Sequence, residues 1–343
     1  MSPQPVSTTT APPAPQLPPP VDGARPAPAA TPARVTYLVP PHTAIGNFPS
    51  VPGSFATVGG TLWFSTGNKY LGRVNPDGSM TLIPTDPVVP QYIAAGKDGN
   101  IWFTDNVGYQ QGYKVGYVTA SGEVHYFWLS GASPADFSGL AVGPDGALWF
   151  LMWGGPDGQT EYLGRATAAG AEVHAIGNVP ILGPVVGPDG SLWGRSVTGL
   201  DHIGLDGTVT SFAVPDGWMI DTAPAVGADG SLWVAATRRV AGGDGVLRLA
   251  RDGTFAAFDL PTRFNPVGIA AGPDGALWIG SHDQGAVVRM SLVGDLLETI
   301  GLGNRGPVGP MAVGPDGDMW LTAMAFGDPG FMDVTTYLVR IAP

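Results

Sequence analysis

Short apolar segments recur along the chain from residue 51 onward, and turn-forming residues separate them at regular intervals. The apolar run Leu140-Ala141-Val142 leads into a Pro-Asp-Gly turn, and a second segment carrying Trp149 follows. Segments of this length, bounded by Asp and Gly, are typical of β-strands joined by tight hairpins, because Gly accepts a positive φ and Asp bonds the turn backbone. The pattern therefore predicts an all-β chain.

The same pattern occurs seven times, and a tryptophan marks the second predicted strand of each copy. These tryptophans are Trp63, Trp102, Trp149, Trp193, Trp233, Trp278 and Trp320. They follow one another at intervals of 39 to 47 residues. Seven copies at this period are typical of a seven-bladed β-propeller, in which each tryptophan fills the wedge between neighbouring blades.

Each copy contains four predicted strands. The third is exemplified by Tyr70–Val74, a second Asp-Gly turn follows at Asp77-Gly78, and the fourth strand alternates as in Thr208–Phe212. The last copy stops after its third strand, Tyr337–Ile341, whereas Arg34–Pro40 at the other end reads as a fourth strand. We predict that this N-terminal strand closes the ring, because closure removes a free sheet edge. Residues 34–343 would then form one domain.

The first 33 residues differ from the rest in composition. They hold 11 of the 35 prolines, with Ala, Thr and Ser and almost no large apolar side chain. Such a segment buries too little surface to offset its ordering entropy, so residues 1–33 are expected to be a disordered linker. Two interpretations stay open, a terminus without a function and a spacer that holds the propeller away from an envelope or anchor.

Composition excludes several functional classes. The chain has no cysteine, which excludes a disulfide scaffold, a cysteine nucleophile and a thiolate-bound metal. Its net charge of −12 argues against nucleic acid as a partner, and no apolar run is long enough to span a membrane. The first residues lack the pattern of a signal peptide. Linker and composition favour an extracytoplasmic or secreted monomer, and a cytoplasmic location remains open.

The predicted connections differ between the two faces of the ring. The turns between strands one and two and between strands three and four are short and uniform. The other connections are long and variable, and they would all lie on the opposite face, which we call the working face. These segments are 106–113, 128–138, 153–161, 215–222, 237–245, 261–267 and 324–334. Variable loops on a constant scaffold are where binding sites are usually built.

Aromatic and basic residues are concentrated on the predicted working face. Trp128, Trp153 and Trp218 lie there with several Met and Phe residues, which would form an apolar binding rim or pack under their own loops. Arginines of blades five to seven, with residues at nearby strand ends, form a second group. They are Arg238, Arg239, Arg263 and Arg305, with Arg195 and His282. This group would bind a carboxylate or another anion, or simply be solvated.

The repeat resembles that of the streptogramin lyase family, also called virginiamycin B lyases, over about residues 34–343. The resemblance rests on a (G-P-D-G)-x-L-W-F-T phrase, seen at Trp102–Asp105, and a (K/Y)-x-G-R-(I/V) phrase, seen at Tyr70–Val74. Members that act as lyases open a cyclic depsipeptide antibiotic by elimination across its ester. The resemblance thus implies a seven-bladed propeller, a magnesium ion held by acidic residues, and histidines for proton transfer.

The resemblance places these groups at two points of the repeat, eleven residues before the tryptophan (His) and three residues after it (Glu). In this chain the first point holds Gln91, Ser138, Leu182, Thr222, Val267 and Gly309, and Ser54 in blade 1 when its shorter turn is allowed for. The second holds Thr66, Asp105, Met152, Ser196, Ala236, Ser281 and Ala323. No histidine and a single carboxylate occupy these positions, and elimination needs both a base and an electrophile at the carbonyl.

The sequence therefore favours a binding or interaction propeller without the family's His/Glu set, which docks a small molecule, a polymer or a protein on the working face. The predicted binding residues are Gln91, Asp105, Ser138, Trp153, Ser196, Trp218, Thr222, Arg238, Arg239, Ser281 and His282. No metal ligand and no catalytic residue is assigned. The alternatives are a purely structural module and a lyase or hydrolase with another residue set, built on Asp105 with Gln91 or His282 with Asp283. Only the lyase alternative would need Mg²⁺.

Overall fold

A computed structural model describes residues 34–38, 54–75, 77–105, 112–129, 135–155, 158–239, 242–261, 263–325 and 336–343. The predicted linker, residues 1–33, lies outside the described residues. The described chain forms 29 β-strands in seven antiparallel sheets, and the all-β, seven-bladed propeller predicted from the repeat is confirmed. Among the described residues, no helix is long and apolar enough to cross a membrane.

The first three blades follow the predicted four-strand order. Blade 1 contains β2 (Phe55–Val58), β3 (Thr61–Ser65), β4 (Tyr70–Val74) and β5 (Met80–Pro84). Blade 2 contains β6 (Pro90–Ala95), β7 (Ile101–Asp105), β8 (Lys114–Val118) and β9 (Val124–Trp128). Blade 3 contains β10 (Ala135–Val142), β11 (Leu148–Gly154), β12 (Thr160–Thr167) and β13 (Gly170–Gly177).

The next three blades repeat this order, with one divided strand. Blade 4 contains β14 (Leu182–Val186), β15 (Leu192–Arg195), β16 (Gly199–Ile203) and β17 (Val209–Ala213). In blade 5 the first strand is divided into β18 (Trp218–Ile220) and β19 (Ala225–Val226), followed by β20 (Leu232–Arg238), β21 (Asp244–Leu249) and β22 (Phe255–Asp259). Blade 6 contains β23 (Pro266–Ala271), β24 (Leu277–Ser281), β25 (Ala286–Met290) and β26 (Leu296–Gly301).

Blade 7 combines the two ends of the domain. It contains β27 (Arg305–Val313), β28 (Met319–Ala325) and β29 (Thr336–Ile341), and its outer strand is β1 (Val35–Leu38). β1 pairs antiparallel with β29, with Val35 opposite Ile341 and Leu38 opposite Leu338. The N-terminal strand thus completes blade 7, as the sequence predicts, and covers the edge that β29 would otherwise expose.

The repeated sequence phrases are explained by one local arrangement. In blade 6 the Trp278 indole N–H donates to Asp274 of the preceding turn at 3.1 Å, and the Arg289 guanidinium lies 5.4 Å from the ring centroid while pairing with the same carboxylate. The indole–turn bond recurs in blades 2 to 7, and an arginine covers the tryptophan in blades 1, 3, 5, 6 and 7. The repeat therefore encodes a lock between the first turn and strands two and three.

The glycine of the third strand has a packing role. Gly72 lies opposite Phe64 in the β3–β4 register, and any Cβ at residue 72 would overlap the Phe64 ring. Gly164 and Phe150 have the same relation in blade 3. A strand glycine is costly unless something packs closely against it, and here the phenylalanine ring fills the space that the missing Cβ leaves.

Seven hydrophobic clusters hold the blades together, and each spans a pair of neighbouring blades. Trp278 and Ile300 of blade 6, for example, pack against Leu321 and Val339 of blade 7. Trp320 and Leu338 of blade 7 pack against Phe64 of blade 1, which closes the circle. All seven repeat tryptophans except Trp193 are buried, in agreement with a structural role.

The innermost strands are irregular near the working face. The register against strand two shifts between Pro90 and Ile93 in blade 2 and between Phe137 and Gly139 in blade 3. Similar shifts occur in blades 4, 6 and 7, and in blade 5 the strand is interrupted between β18 and β19. A bulge bends a strand and changes the direction of its side chains, and bulges are enriched next to active sites.

Candidate functional site

The working face lies where each second strand ends and each first strand begins. Several strands continue further toward it than the sequence indicates, because the connections assigned as loops in blades 3 and 5 extend their hairpins. Trp153 lies on β11 opposite Glu161, and Trp218 lies on β18 opposite Arg238. These side chains are thus held by hydrogen-bonded strands, which position a site more rigidly than loops do.

Asp105, the one carboxylate at the predicted Glu position, forms a buried ion pair. Its Oδ2 lies 2.9 Å from Lys114 Nζ, and its Oδ1 accepts the backbone N–H of Val89 at 2.8 Å. Asp105 and Lys114 are 2% and 1% exposed, and the Lys114 ammonium also lies 4.4 Å from the ring centroid of the exposed Trp128. Both oxygens of Asp105 therefore serve its own blade, since a buried charge needs such partners.

Three of the predicted hydroxyl residues are also bonded within their own blades. Ser281 donates to the Phe264 carbonyl and accepts the Gln284 N–H, Thr222 accepts the Ala235 N–H at 3.0 Å, and the Ser196 hydroxyl lies 3.4 Å from that of Thr198. Ser281, Thr222 and Ser196 are 0%, 4% and 6% exposed. Their hydroxyls thus stabilise the working-face ends of their own blades.

Gln91 and Ser138 lie in the strand-one bulges of blades 2 and 3. Among the described residues, neither side chain makes a hydrogen bond. Gln91 is half-buried, and Ser138 is 6% exposed. Of the predicted polar residues at the two repeat positions of the site, these two keep hydrogen-bonding capacity for a ligand.

His282 follows β24 and reaches blade 7, where its Nδ1 lies 3.2 Å from the Pro307 carbonyl oxygen. The other histidines within the described ranges lie on different blades, with His125 on β9, His174 on β13 and His202 on β16. A two-histidine site is therefore absent from the part of the chain that the structure describes.

The aromatic and basic residues of blade 5 form one layered group. The Arg238 guanidinium lies 4.5 Å from the Trp218 ring centroid and pairs with Asp259 at 2.6 Å. Trp218 packs against Gly245, where a Cβ would meet the indole at 2.5 Å. Arg239 beside them is exposed. Arg305, by contrast, lies in blade 7 between Tyr37 and Tyr337, so it does not extend the group.

A pair of buried carboxyl groups lies between blades 3 and 4. Glu161 of β12 is 0% exposed and Asp201 of β16 is 2% exposed. Burial is the main cause that raises the pKa of Glu161 to about 9, and the negative charge of Asp201 contributes to this rise. Among the described residues, no donor reaches either Glu161 oxygen in hydrogen-bonding geometry. Glu161 is therefore a neutral acid at pH 7.

A second pair of carboxyl groups lies in blade 5, with a hydroxyl between them. The Thr237 oxygen lies 2.7 Å from Asp221 Oδ2 and 3.1 Å from Asp244 Oδ1. Asp244 Oδ2 also accepts the backbone N–H groups of Phe264 and Asn265 at 2.6 and 3.0 Å. Burial raises the pKa of Asp221, and Asp244 adds to this rise, whereas Thr237 and Arg195 oppose it.

The predicted positions do not suit the magnesium ion that the resemblance implies. Mg²⁺ prefers carboxylate oxygens that can turn toward it, together with water. At the described strand-two ends Asp105 alone is acidic, and its oxygens already bind Lys114 and Val89. In the described ranges no group of three or more His, Asp or Glu residues could hold a metal ion. No step through magnesium is derived.

Sequence reasoning missed Lys114, Glu161, Asp201, Asp221 and Asp244. Alignment of the seven repeats would have found Asp221, because the same position holds an apolar residue in blades 2, 3, 4, 6 and 7. The partners of Glu161 and Asp105 have no such signal, since they depend on which strands meet across or within a blade.

The molecule is thus a closed seven-bladed propeller whose repeats are most regular at the turn side and most variable at the working face. Comparison with known proteins agrees with this class. The sequence model of the virginiamycin B lyase family matches residues 46–174 and 157–325. The chain therefore belongs to the virginiamycin B lyase family.

A virginiamycin B lyase of Nocardia farcinica is 30% identical over 230 residues, which cover 64% of this chain and 73% of that protein. The structure of a catalytically inactive virginiamycin B lyase from Staphylococcus aureus with quinupristin has a TM-score of 0.67 and 20% identity, over 90% of this chain and 99% of that one. Hydrazine synthase from Kuenenia stuttgartiensis has a TM-score of 0.62 and 18% identity, over 86% and 97%. At these identities the solved structures share the fold alone.

Proposed function

We propose that this chain is a ligand-binding member of the virginiamycin B lyase family that does not catalyse ester elimination. Its ligand is a small molecule, or one unit of a polymer, with an apolar surface and an anionic group. The contact area is the working face of blades 4 and 5, which we name the blade 5 rim after Trp218, Met219, Arg238 and Arg239.

The buried ion pair of Asp105 supports the first part of this proposal, that the chain does not catalyse ester elimination. Elimination requires a base that can reach the substrate and an electrophile for the carbonyl. The one carboxylate at the predicted acidic positions is buried against Lys114, and the histidine positions hold other residues. An alternative residue set, acting as a lyase or a hydrolase, is the second reading to be tested.

The blade 5 rim carries the second half. Met219 is 40% exposed, and Trp218 beside it is half-buried with Arg238 over its ring. A partly exposed methionine and a half-buried tryptophan next to the exposed Arg239 match a ligand with an apolar part and an anionic part. The Trp218 indole packs on Gly245, and β18 is paired with β20, so the rim is preorganised.

The two readings can be separated with quinupristin, which is bound in a related structure. The protein is incubated with quinupristin and Mg²⁺, with and without a chelator, and the products are analysed by liquid chromatography and mass spectrometry. Unaltered quinupristin is expected. A shifted peak of unchanged mass would indicate ring opening by elimination, and added water would indicate hydrolysis, and either product would overturn the non-catalytic proposal.

Binding at the rim is tested by isothermal titration with quinupristin and with 4-phenylbutyrate, whose phenyl ring and carboxylate match the proposed ligand class. Replacement of Trp218 by Ala is expected to weaken binding at least tenfold, because an aromatic anchor is lost. The matched control is Trp128→Ala, an exposed tryptophan of blade 2. Equal affinities of the two variants, or no binding of either probe to the unmodified chain, would refute the rim as the site.

The extracytoplasmic location stays a proposal, based on the composition of residues 1–33. Fractionation of cells that express the full-length natural gene would test it.

A further inference from the structure

A cleft of about 450 Å³ lies between blades 4 and 5 on the turn side of the ring, the face opposite the working face. Its lining is mainly apolar and comes from both blades. Blade 4 contributes Trp193, His202, Thr210 and Phe212, and blade 5 contributes Leu232 and Arg251. A concave site of this volume, with aromatic walls and few polar groups, has the properties of a small-molecule site.

The tryptophan lock of the repeat is incomplete at this cleft. In blade 3, Arg165 lies opposite Trp149 in the strand register, and its guanidinium covers the indole at 5.6 Å from the ring centroid. In blade 4 the position opposite Trp193 holds His202, whose ring meets the indole edge-on with centroids 4.9 Å apart. Trp193 is half-buried, whereas the other repeat tryptophans are buried. Part of its aromatic surface therefore faces the cleft.

The neighbouring groove, between blades 3 and 4, has a more charged lining. It includes Arg165, Glu172 and His174. The strand registers place His202, Thr210 and Phe212 at the corresponding positions of blade 4. The Phe212 ring lies 5.3 Å from that of Trp193. The cleft between blades 4 and 5 thus has aromatic surface where its neighbour has charged side chains.

A single arginine lines the cleft from the blade 5 side. Arg251 is exposed and lies in the turn between β21 and β22, with its guanidinium in the space that a Cβ on Gly230 would fill. The same turn position in blades 1, 2, 3, 4 and 6 holds Pro76, Ala120, Ala168, Leu205 and Leu292. Among the described residues, Arg251 has no hydrogen-bond or ion-pair partner. Its donors are therefore available to an anion.

The carboxylate of the lining, Asp189 on the blade 4 side, is already bonded. Its Oδ1 accepts the backbone N–H of Ser191 at 3.1 Å, the Ser191 hydroxyl at 2.6 Å and the Trp193 indole N–H at 3.4 Å. Its Oδ2 lies 3.1 Å from His202 Nε2. Asp189 therefore fixes the aromatic side chains of its own wall, and Arg251 on the other wall is the charged group left for a ligand.

We propose that the cleft between blades 4 and 5 is a second binding site, distinct from the blade 5 rim, and that it takes a planar aromatic carboxylate. The aromatic ring of the ligand contacts Trp193 and the apolar lining, because the indole surface there has no arginine cover. The ligand carboxylate binds the Arg251 guanidinium through two parallel hydrogen bonds. The site is independent of the proposed function, since its lining lies on the opposite face of the ring.

The test uses 2-naphthoate and its uncharged amide, 2-naphthamide, titrated into the full chain. Binding is followed by calorimetry and by the indole ¹⁵N–¹H signals, with Trp193 and Trp218 assigned from the spectra of Trp193→Phe and Trp218→Phe. We expect 2-naphthoate to shift the Trp193 signal saturably. Arg251→Gln should lose about tenfold in carboxylate affinity and keep the amide affinity. The matched control is Lys69→Gln, which removes an exposed positive charge of blade 1 and should bind as the unmodified chain.

A second variant tests the wall of blade 4. Thr210→Glu gives this cleft the carboxylate that Glu172 supplies in the neighbouring groove, and the exposed position tolerates it. The added negative charge should weaken 2-naphthoate binding by about tenfold and 2-naphthamide binding by less. Ala213→Glu, an exposed position on the other face of β17, is the matched control and should leave both affinities unchanged.

The indole signals separate this cleft from the blade 5 rim. A saturable shift of the Trp193 signal that persists in Trp218→Ala supports the cleft, whether or not the rim binds. A shift of the Trp218 signal without one at Trp193 supports the rim and refutes the cleft. Absence of a saturable Trp193 shift up to about 5 mM 2-naphthoate refutes the cleft. Equal affinities for carboxylate and amide, or an unchanged carboxylate affinity in Arg251→Gln, also refute it.

Discussion

The carboxyl groups on the two faces of the ring have opposite environments. On the turn side, Asp274 binds the Trp278 indole, the Ala276 amide and Arg289, and similar sets recur around the ring. Toward the working face, Glu161 and Asp221 are buried or half-buried carboxyls whose pKa values are raised rather than lowered. The turn side is thus built for stability, and the working face retains groups that a fold alone does not need.

The largest expected effect comes from replacing Trp278, the tryptophan of the turn-side lock in blade 6. Trp278 is 0% exposed and lies in the cluster between blades 6 and 7. Trp278→Ala should lower the free energy of unfolding by about 3–5 kcal/mol, because a large cavity forms and Asp274 loses its indole partner. Chemical denaturation measures this loss. Trp278→Phe, which keeps a ring, should lose less, and Trp128→Ala should lose about 1 kcal/mol or less. A loss of similar size in all three variants would contradict a specific lock.

The next effect concerns Glu161, whose substitution should stabilise the folded chain at neutral pH rather than destabilise it. Its pKa of about 9 in the folded chain exceeds its ordinary value of 4.5, so unfolding releases a proton between these pH values. The contribution of Glu161 to the free energy of unfolding should therefore be greatest below about pH 4.5. It should decrease as the pH rises toward 9, by about 3 kcal/mol at pH 7. Glu161→Gln should remove this slope, because the amide stays neutral over the whole pH range.

Thermal unfolding between pH 5 and pH 9 tests this expectation. The matched control is Glu172→Gln, an exposed carboxyl of the same blade, which should keep the slope of the unmodified chain. If Glu161→Gln lowers the unfolding temperature at pH 8, then the carboxyl is ionised and has a partner, and the contrast between the two faces fails at this position.

The fold could be predicted from the repeat, because each recurring sequence phrase has a local structural reason. Trp63, Gly72 and Arg73 occupy fixed positions since the tryptophan needs a cover and Phe64 needs a glycine to pack on. Strand four of blade 7 could be assigned by counting, because one strand was missing at one end and one was extra at the other. Ring closure by Val35–Leu38 is confirmed.

The working face was less predictable because its contacts cross blades or depend on bulges. Asp105 has the same residue type and spacing as a site carboxylate, yet Lys114 on the next strand binds it in a buried ion pair. The bulge beside Gln91 is not visible in the alternation of the strand. The signal that could have been used was a residue that departs from its repeat position. Arg195 and Asp221 are examples, because the equivalent positions of the other blades hold uncharged residues.

A smaller effect tests the carboxylates of the turn side. Burial raises the pKa of Asp274, but the bonds from Trp278, Arg289 and the Ala276 amide outweigh it, so the pKa is lowered overall. Its stabilisation is present above the ordinary value of 3.8 and is lost as the pH falls below it. Asp274→Ala should cost about 1–3 kcal/mol at pH 7, because it leaves the buried indole N–H unpaired. Denaturation at pH 7 and pH 3 measures this. The cost should shrink at pH 3, and a constant cost would show that the charge does not matter.

The smallest effect concerns blade 4, where His202 replaces the arginine that covers the tryptophan in blades 1, 3, 5, 6 and 7. The His202 ring lies 4.9 Å from Trp193, its Nε2 lies 3.1 Å from Asp189, and Trp193 is correspondingly less buried than the other repeat tryptophans. His202→Arg should restore the lock and raise stability by about 0.5 kcal/mol, because a guanidinium can cover the Trp193 ring and pair with Asp189 as the arginines of the other blades do. Thermal unfolding gives the comparison, with His174→Arg in the outer strand of blade 3 as the control. An unchanged stability in His202→Arg would show that the arginine cover does not stabilise blade 4, and the turn-side lock would then owe less to charge than its repeated Asp–Arg pairs indicate.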